Sequence, residues 1–347
     1  MGVVVGGCAP EVAHLDTHHD DTFDRSAGSD SHSTPDVVSD TSDDIVPDST
    51  PDVVSDAADA IVPDASDEDA APGDVVAAKK WQAVSVGEYH TVALDVDGTL
   101  HCWGQNNQHQ CDAPDGQFVS VSAGSFFTCA IDNGGTLHCW GQYPSGEEVS
   151  VTGAYSDVGT GHGHLCARDH LGWVSCWGDD SLGQISQIPQ KQFKALAVGG
   201  YHTCALHGIT PTLNVCWGHN NHGQLGPLPK SSLETISAGE LHTCGIRLHP
   251  RFEGDPDGGL TCWGNNDQGQ ADPPPGTFVA VSAGYRQTCG IDDKGAIACW
   301  GAVDEAPPLG VFTQLSVGNH HSCAMSADDE IACWGDNSQG QTTLPSR

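Results

Sequence analysis

Basic residues are scarce in this chain: 12 Lys and Arg stand against 46 Asp and Glu in 347 residues, a formal net charge of −34. Nucleic-acid affinity rests on Lys and Arg neutralising phosphates, so that class of partner is disfavoured, and so is adhesion to an anionic membrane. Long hydrophobic runs are missing as well. No stretch approaches the roughly 18 apolar residues of a membrane-spanning helix. The 3.6-residue periodicity of amphipathic helices is absent. No C-x-x-C pair occurs, which weakens any zinc reading. There is no serine nucleophile elbow, no phosphate-cradling glycine loop and no HExxH helix. Acid pairs such as Asp179-Asp180 and Asp292-Asp293 fall in turn-like sequence, where carboxylates are ordinary. The expectation is a non-enzymatic protein with no cofactor and no metal.

Cysteine, by contrast, is plentiful and ordered. Cys-Trp-Gly occurs seven times, beginning at Cys102, Cys139, Cys176, Cys216, Cys262, Cys299 and Cys333. Self-similarity at a period of 20–50 residues marks a repeat architecture. From the second repeat onward an upstream cysteine precedes each unit, giving the pairs Cys129/Cys139, Cys166/Cys176, Cys204/Cys216, Cys244/Cys262, Cys289/Cys299 and Cys323/Cys333. The first repeat has Val92 at the upstream position and Cys111 nine residues after Cys102. Seven pairs result, with Cys8 left over, and this reads as a disulfide framework in an oxidising compartment.

The first eight residues, MGVVVGGC, resemble the lipobox of bacterial lipoproteins, with Cys8 as the lipidated residue, although no positive side chain precedes it. Residues 1–8 are therefore read as a truncated lipoprotein signal. Residues 11–74 hold 19 acids and one base, Arg25, and residues 33–64 form four octads, of which STPDVVSD appears twice. Such a segment cannot bury enough apolar surface to offset the entropy of ordering, so residues 9–78 are expected to be a disordered acidic linker. The cluster His14, His18, His19, Asp20 and Asp21 lies within it.

Residues 79–347 hold the repeats. Each unit begins with a β-prone run ending in Gly, such as VSVGEYHTVAL from Val84 or VSAGSFFTCAI from Val121, and passes through a Gly-containing turn to Cys-Trp-Gly. Short β-prone runs joined by such turns are hairpins. A three-residue turn sets Cys129 opposite Cys139 and pairs residues 130 with 138 and 131 with 137. One hairpin alone is marginal in water, so seven units suggest a closed ring of blades. Residues 341–344 and 81–86 are expected to complete one blade together and close the ring.

The string G-x-x-H-T-x-A-L, then D-G, then W-G-x-N-x-x-G-Q, resembles the repeat of the regulator of chromosome condensation family. It is full or nearly full at residues 103–110, 217–224, 263–270 and 334–341, and the resemblance spans about 81–344. It implies an all-β, seven-bladed β-propeller. The W-G-x-N-x-x-G-Q tail is lost after Trp140 (GQYPSGEE) and after Trp300 (GAVDEAPP). The added cysteines are not part of the family pattern.

Five repeats place His before the Thr/Ser/Leu-Cys step: His90, His164, His202, His242 and His321. A residue recurring blade after blade reads as a builder of blades rather than a metal ligand. Breaks in the array are the better guide to binding, since insertions map to loops on one face. Two hairpin turns are lengthened in successive units, at residues 207–214 and 247–260. The second contains Arg247, His249, Arg251 and Phe252, a basic spot on an acidic domain, and Tyr201 is a further candidate. The sequence thus points to a monomeric, secreted or envelope-anchored propeller. It binds an unidentified protein partner through loops on one face and touches membrane only through a lipid anchor. The resemblance also implies two alternatives: a guanine-nucleotide exchange role, and inhibition of an extracytoplasmic enzyme in the manner of the family's β-lactamase inhibitory protein.

Overall fold

The computed structural model describes residues 80–143, 149–207, 214–229, 232–248 and 259–345. Cys8, the octads, the His14 cluster, and His249, Arg251 and Phe252 lie outside these residues. Every regular element described is a β-strand. The strands form seven antiparallel sheets in chain order, six of three strands and one of four. They occupy residues 81–104, 118–151, 155–178, 195–218, 233–264, 278–301 and 312–335, numbered here as blades 1 to 7. In each blade the first strand is innermost. The ends of the seven first strands, from Ser85-Val86 to Ser316-Val317, line one central channel of about 190 Å³.

The hairpin register follows the cysteine spacing. Cys129 faces Cys139, Ala130 faces His138 and Ile131 faces Leu137, and the same register recurs in blades 3 to 7. All six cross-strand pairs are bonded, with Cα atoms 4.0–4.1 Å apart, the spacing of directly opposed residues that exchange no ladder hydrogen bonds. Blade 1 differs. There Cys102 faces Val92, and its disulfide runs sideways to Cys111 in the loop leaving the blade.

The apolar core is not central but divided among the seven seams between blades. Leu94 of blade 1 packs with Phe118, Ala130 and Trp140 of blade 2. Ile246 and Leu260 of blade 5 pack with Phe278 and Trp300 of blade 6. The last seam joins Trp81, Ala93 and Trp103 to Cys323, Met325 and Ile331. It closes the ring in a way that corrects the sequence expectation. Residues 81–86 and 341–344 share no strand; blades 1 and 7 are each complete. Closure is side by side instead: Val86 N donates to Ser316 Oγ, Gln314 Nε2 to Gln82 O, and Thr91 Oγ1 to Gln341 O. Since each blade already buries its face against two neighbours, a swapped strand is not needed to join the ends.

One glycine per repeat sets how tightly the blades gather. At Gly87, Gly161, Gly199, Gly239, Gly284 and Gly318, an added Cβ would collide with the carbonyl oxygen of the equivalent glycine in the next blade, and Gly318 meets Gly87. Gly124 approaches Gly161 O in the same way, at 3.0 Å. The narrow waist of the ring therefore tolerates no side chain at these positions.

Candidate binding site at the channel mouth

Five of the seven repeats run G-x-x-H across the turn from first to second strand, and the seven turns surround one mouth of the channel. A buried relay fixes them. His90 Nε2 lies 2.9 Å from Thr128 Oγ1 in the next blade, and Thr128 Oγ1 donates to Gln110 O at 2.9 Å. Since the threonine proton is given to the carbonyl, the histidine must donate through Nε2–H, and burial keeps the ring in its neutral form. The same chain runs from His202 through Thr243 to Gln224 O, from His242 through Thr288 to Gln270 O, and from His321 through Thr91 to Gln341 O. His164 reaches Thr203 at 3.0 Å. Two seams lack the histidine: Phe127 faces blade 3, and Gln287 faces blade 7.

The two variable residues of each turn ride on this frame. Glu88, His162 and Glu240 line the channel itself. His162 sits between the two acids, with Nε2 3.2 Å from Glu240 and Nδ1 3.9 Å from Glu88. Its Nδ1 also lies 2.7 Å from Ser125 Oγ. One step outward the side chains are aromatic. Tyr201 stacks on His162 at 4.9 Å, Tyr89 stacks on His320 at 5.1 Å and on Phe126 at 6.5 Å, and Arg286 lies over Tyr285 at 4.7 Å. Burial, then the nearby Glu240 carboxylate, raises the Tyr201 phenol above its ordinary value, so it stays protonated as a donor. Among the described residues, no group of three or more His, Cys, Asp or Glu could hold a metal ion. The arrangement offers flat aromatic faces, phenol and imidazole donors, and carboxylate acceptors around a polar pit.

The two described candidate residues chosen from sequence, Tyr201 and Arg247, do not come together. Tyr201 lies in the turn that opens the second strand of blade 4, at the channel mouth. Arg247 closes the second strand of blade 5, His242–Arg247, at the far end of a strand roughly 17–20 Å long. They occupy opposite faces of the ring. Arg247 stands where blades 1, 2, 3 and 6 carry an aspartate whose carboxylate ties up the hairpin turn, as Asp132 does with the amides of Gly134 and Thr136. His207 takes that position in blade 4, and its amide is bonded instead by Asn214 Oδ1. The turns lengthen where the aspartate is gone. Leu248, beside Arg247, is exposed. The channel-mouth belt was missed because its members stand nearly 40 residues apart. The available signal was the variation at the two positions between the fixed Gly and the His.

The model of the regulator of chromosome condensation (RCC1) repeat matches at residues 81–110, 118–144 and 312–341. No curated protein matches the chain in sequence. Among solved structures, the ectodomain of the Physcomitrella patens receptor kinase CR4 is similar with a TM-score of 0.63 at 23% identity, covering 75% of this chain and 74% of that one. The CRINKLY WD40 ectodomain of the Arabidopsis thaliana receptor kinase ACR4 gives 0.62 at 24%, covering 77% and 100%. Prp20p from Saccharomyces cerevisiae gives 0.60 at 18%, covering 72% and 84%. At such identities the likeness is one of fold. With three segments matched by that repeat and seven blades on one plan, the chain is a seven-bladed β-propeller similar to the regulator of chromosome condensation fold.

Proposed function

We propose that this propeller is a non-enzymatic recognition module that works outside the cytoplasm and holds a protein partner on the face of the G-x-x-H turns. The observation that carries the reading is the belt around the channel mouth, where Tyr89, Phe126, Tyr201, Tyr285 and Arg286 gather about Glu88, His162 and Glu240. Aromatic residues and Arg supply most interface energy, and here a rigid frame holds them. Seven disulfides support an oxidising, extracytoplasmic setting. In this proposal Cys8 carries a lipid and residues 9–78 form the spacer, on the order of 45 Å for a flexible chain of that length.

An exchange-factor reading draws on the fold shared with Prp20p, whose binding to Gsp1p and histones has been described. The disulfides weigh against it, because a reducing cytosol does not sustain them. Thiol titration of the denatured, unreduced protein separates the two readings. At most one reactive thiol, Cys8, is expected; thirteen or more would remove the extracytoplasmic reading. Affinity capture from envelope extract, comparing wild type with Tyr89→Ser/Phe126→Ser and with a protein lacking residues 249–258, tests the face. Loss of the captured partner only in the double variant supports the turn face. Loss only on shortening the loop moves the site to the opposite face.

A further inference from the structure

Three of the seven seams between blades contain a carbonyl that serves two donors, and two more contain one that serves a single donor. Gln110 O accepts from Thr128 Oγ1 at 2.9 Å and from Trp140 Nε1 at 3.0 Å. Gln224 O does so for Thr243 and Trp263, at 3.0 and 2.9 Å, and Gln270 O for Thr288 and Trp300, at 2.9 and 3.0 Å. Gln184 O takes Trp217, and Gln341 O takes Thr91. This carbonyl is the last residue of the W-G-x-N-x-x-G-Q tail, so the two repeats that lose the tail lose the acceptor.

The two losses are handled differently. Between blades 2 and 3, Tyr143 folds into the vacated space, buried and edge-on to Phe127 at 5.5 Å. The threonine of the next blade is there replaced by buried Leu165, which removes the hydroxyl donor. Between blades 6 and 7 the chain follows the same path. Ala302 N bonds Arg286 O, and Val303 N bonds Gly301 O, just as Gln142 N bonds Phe126 O and Tyr143 N bonds Gly141 O. Val303 therefore stands where Tyr143 stands, and it is too small to fill the space. A cleft of about 190 Å³ remains, with Ser322, Trp334 and Gln287 among its lining and Asp304, Glu305 and Arg286 around it. Cavities of about 150 Å³ take a benzene-sized group, so this one admits a side chain or a peptide unit.

The donors of this seam have been kept. Ser322 is 1% exposed, and its hydroxyl receives Gln287 Nε2 at 3.4 Å, with no acceptor for its own proton among the described residues. Trp334 is 6% exposed and lines the cleft, where no glutamine carbonyl of the kind that takes the Trp140, Trp263 and Trp300 indoles is supplied. In three of the five seams that keep the tail, the equivalent pair of donors converges on a single oxygen.

We propose that the cleft between blades 6 and 7 binds an extended peptide segment of a partner protein, one of whose amide carbonyls occupies the missing glutamine position and accepts from Ser322 Oγ and Trp334 Nε1. A neutral amide suits the site better than a carboxylate, because Asp304 and Glu305 stand beside it, while Arg286 donates to Tyr285 Oη at 3.0 Å. This site stands on its own donors, Ser322 and Trp334, while Tyr285 and Arg286 border both it and the channel-mouth belt.

The test is an NMR titration of the full, disulfide-intact chain with a capped peptide of residues 218–225, GHNNHGQL, the loop that supplies this carbonyl to blade 5. The indole N–H resonance of Trp334, assigned with Trp334→Phe, is expected to shift saturably. Ser322→Ala is expected to weaken binding about tenfold, the worth of one hydrogen bond. Val303→Tyr, which copies the blade 2 filling, is expected to abolish it. A titration that leaves the Trp334 resonance in place overturns the proposal. So does unchanged affinity in Ser322→Ala, a variant too small in its effect to prevent folding.

Discussion

Burial pushes His90, His164 and His242 down to about 4, and His202 and His321 to about 3. Burial disfavours the charged ring in each, yet each titrates near 6.5 in an unfolded chain. The unfolded state therefore binds more protons between those values, and the stabilisation is fully present above about pH 6.5 and lost as pH falls toward 4. Shifts of that size correspond to about 3–5 kcal/mol per histidine as an upper bound. The urea midpoint is expected to drop steeply from pH 6.5 to pH 4; a flat profile would mean these rings are solvated. At the same scale, Gly199→Ala sets a Cβ against Gly239 O. The backbone cannot yield without widening the ring, so a loss of about 1–3 kcal/mol is expected from overpacking, measured by equilibrium unfolding.

The hairpin is the element in which the sequence was most readable. A fixed separation of ten residues between cysteines forces the observed register, because only directly opposed positions bring the sulfurs together. Lengthened turns alter the loop closed by the bond but not the register, as Cys244 facing Cys262 shows. In the chain-entropy account a loop of 18 residues gains about 0.5 kcal/mol more than one of 10. Replacing both Cys244 and Cys262 by Ala is therefore expected to cost about 3 kcal/mol, slightly more than the same change at Cys129 and Cys139. Denaturant midpoints of the two variants check the order. Less legible was the tail of blade 3. It reads D-D-S-L-G-Q, yet Asp180 bonds the Ile185 and Ser186 amides much as Asn106 bonds the Cys111 amide, and Gln184 is buried like its counterparts. An aspartate performs the asparagine's role, which letter matching does not see.

For the whole ring, the blade count followed from seven Trp-Gly units, whereas the manner of closure did not. Nothing in residues 341–344 announces that they lack a strand; the answer lies in seam packing, which depends on contacts 230 residues apart, such as Val86 with Ser316. The binding belt was hidden for the same reason, its members being gathered only when the circle is complete. Seam strength is uneven around that circle. Five seams carry a His–Thr bond, while the 2–3 and 6–7 seams carry none. Hydrogen exchange, which follows local opening, is expected to run fastest in the strands flanking those two seams. Uniform protection around the ring would contradict this.

The two weaker seams divide the circle into unequal arcs: blades 3 to 6, and blades 7, 1 and 2. The second arc is where the first and last blades meet, and it is also where the three matched repeats lie. The 2–3 seam is packed by Tyr143 and Leu165, whereas the 6–7 seam keeps its cleft beside Val303. A ligand seated in that cleft would do more than bind, because it would fix the spacing of Tyr285 and His320 across the seam, and with it the curvature of the channel mouth.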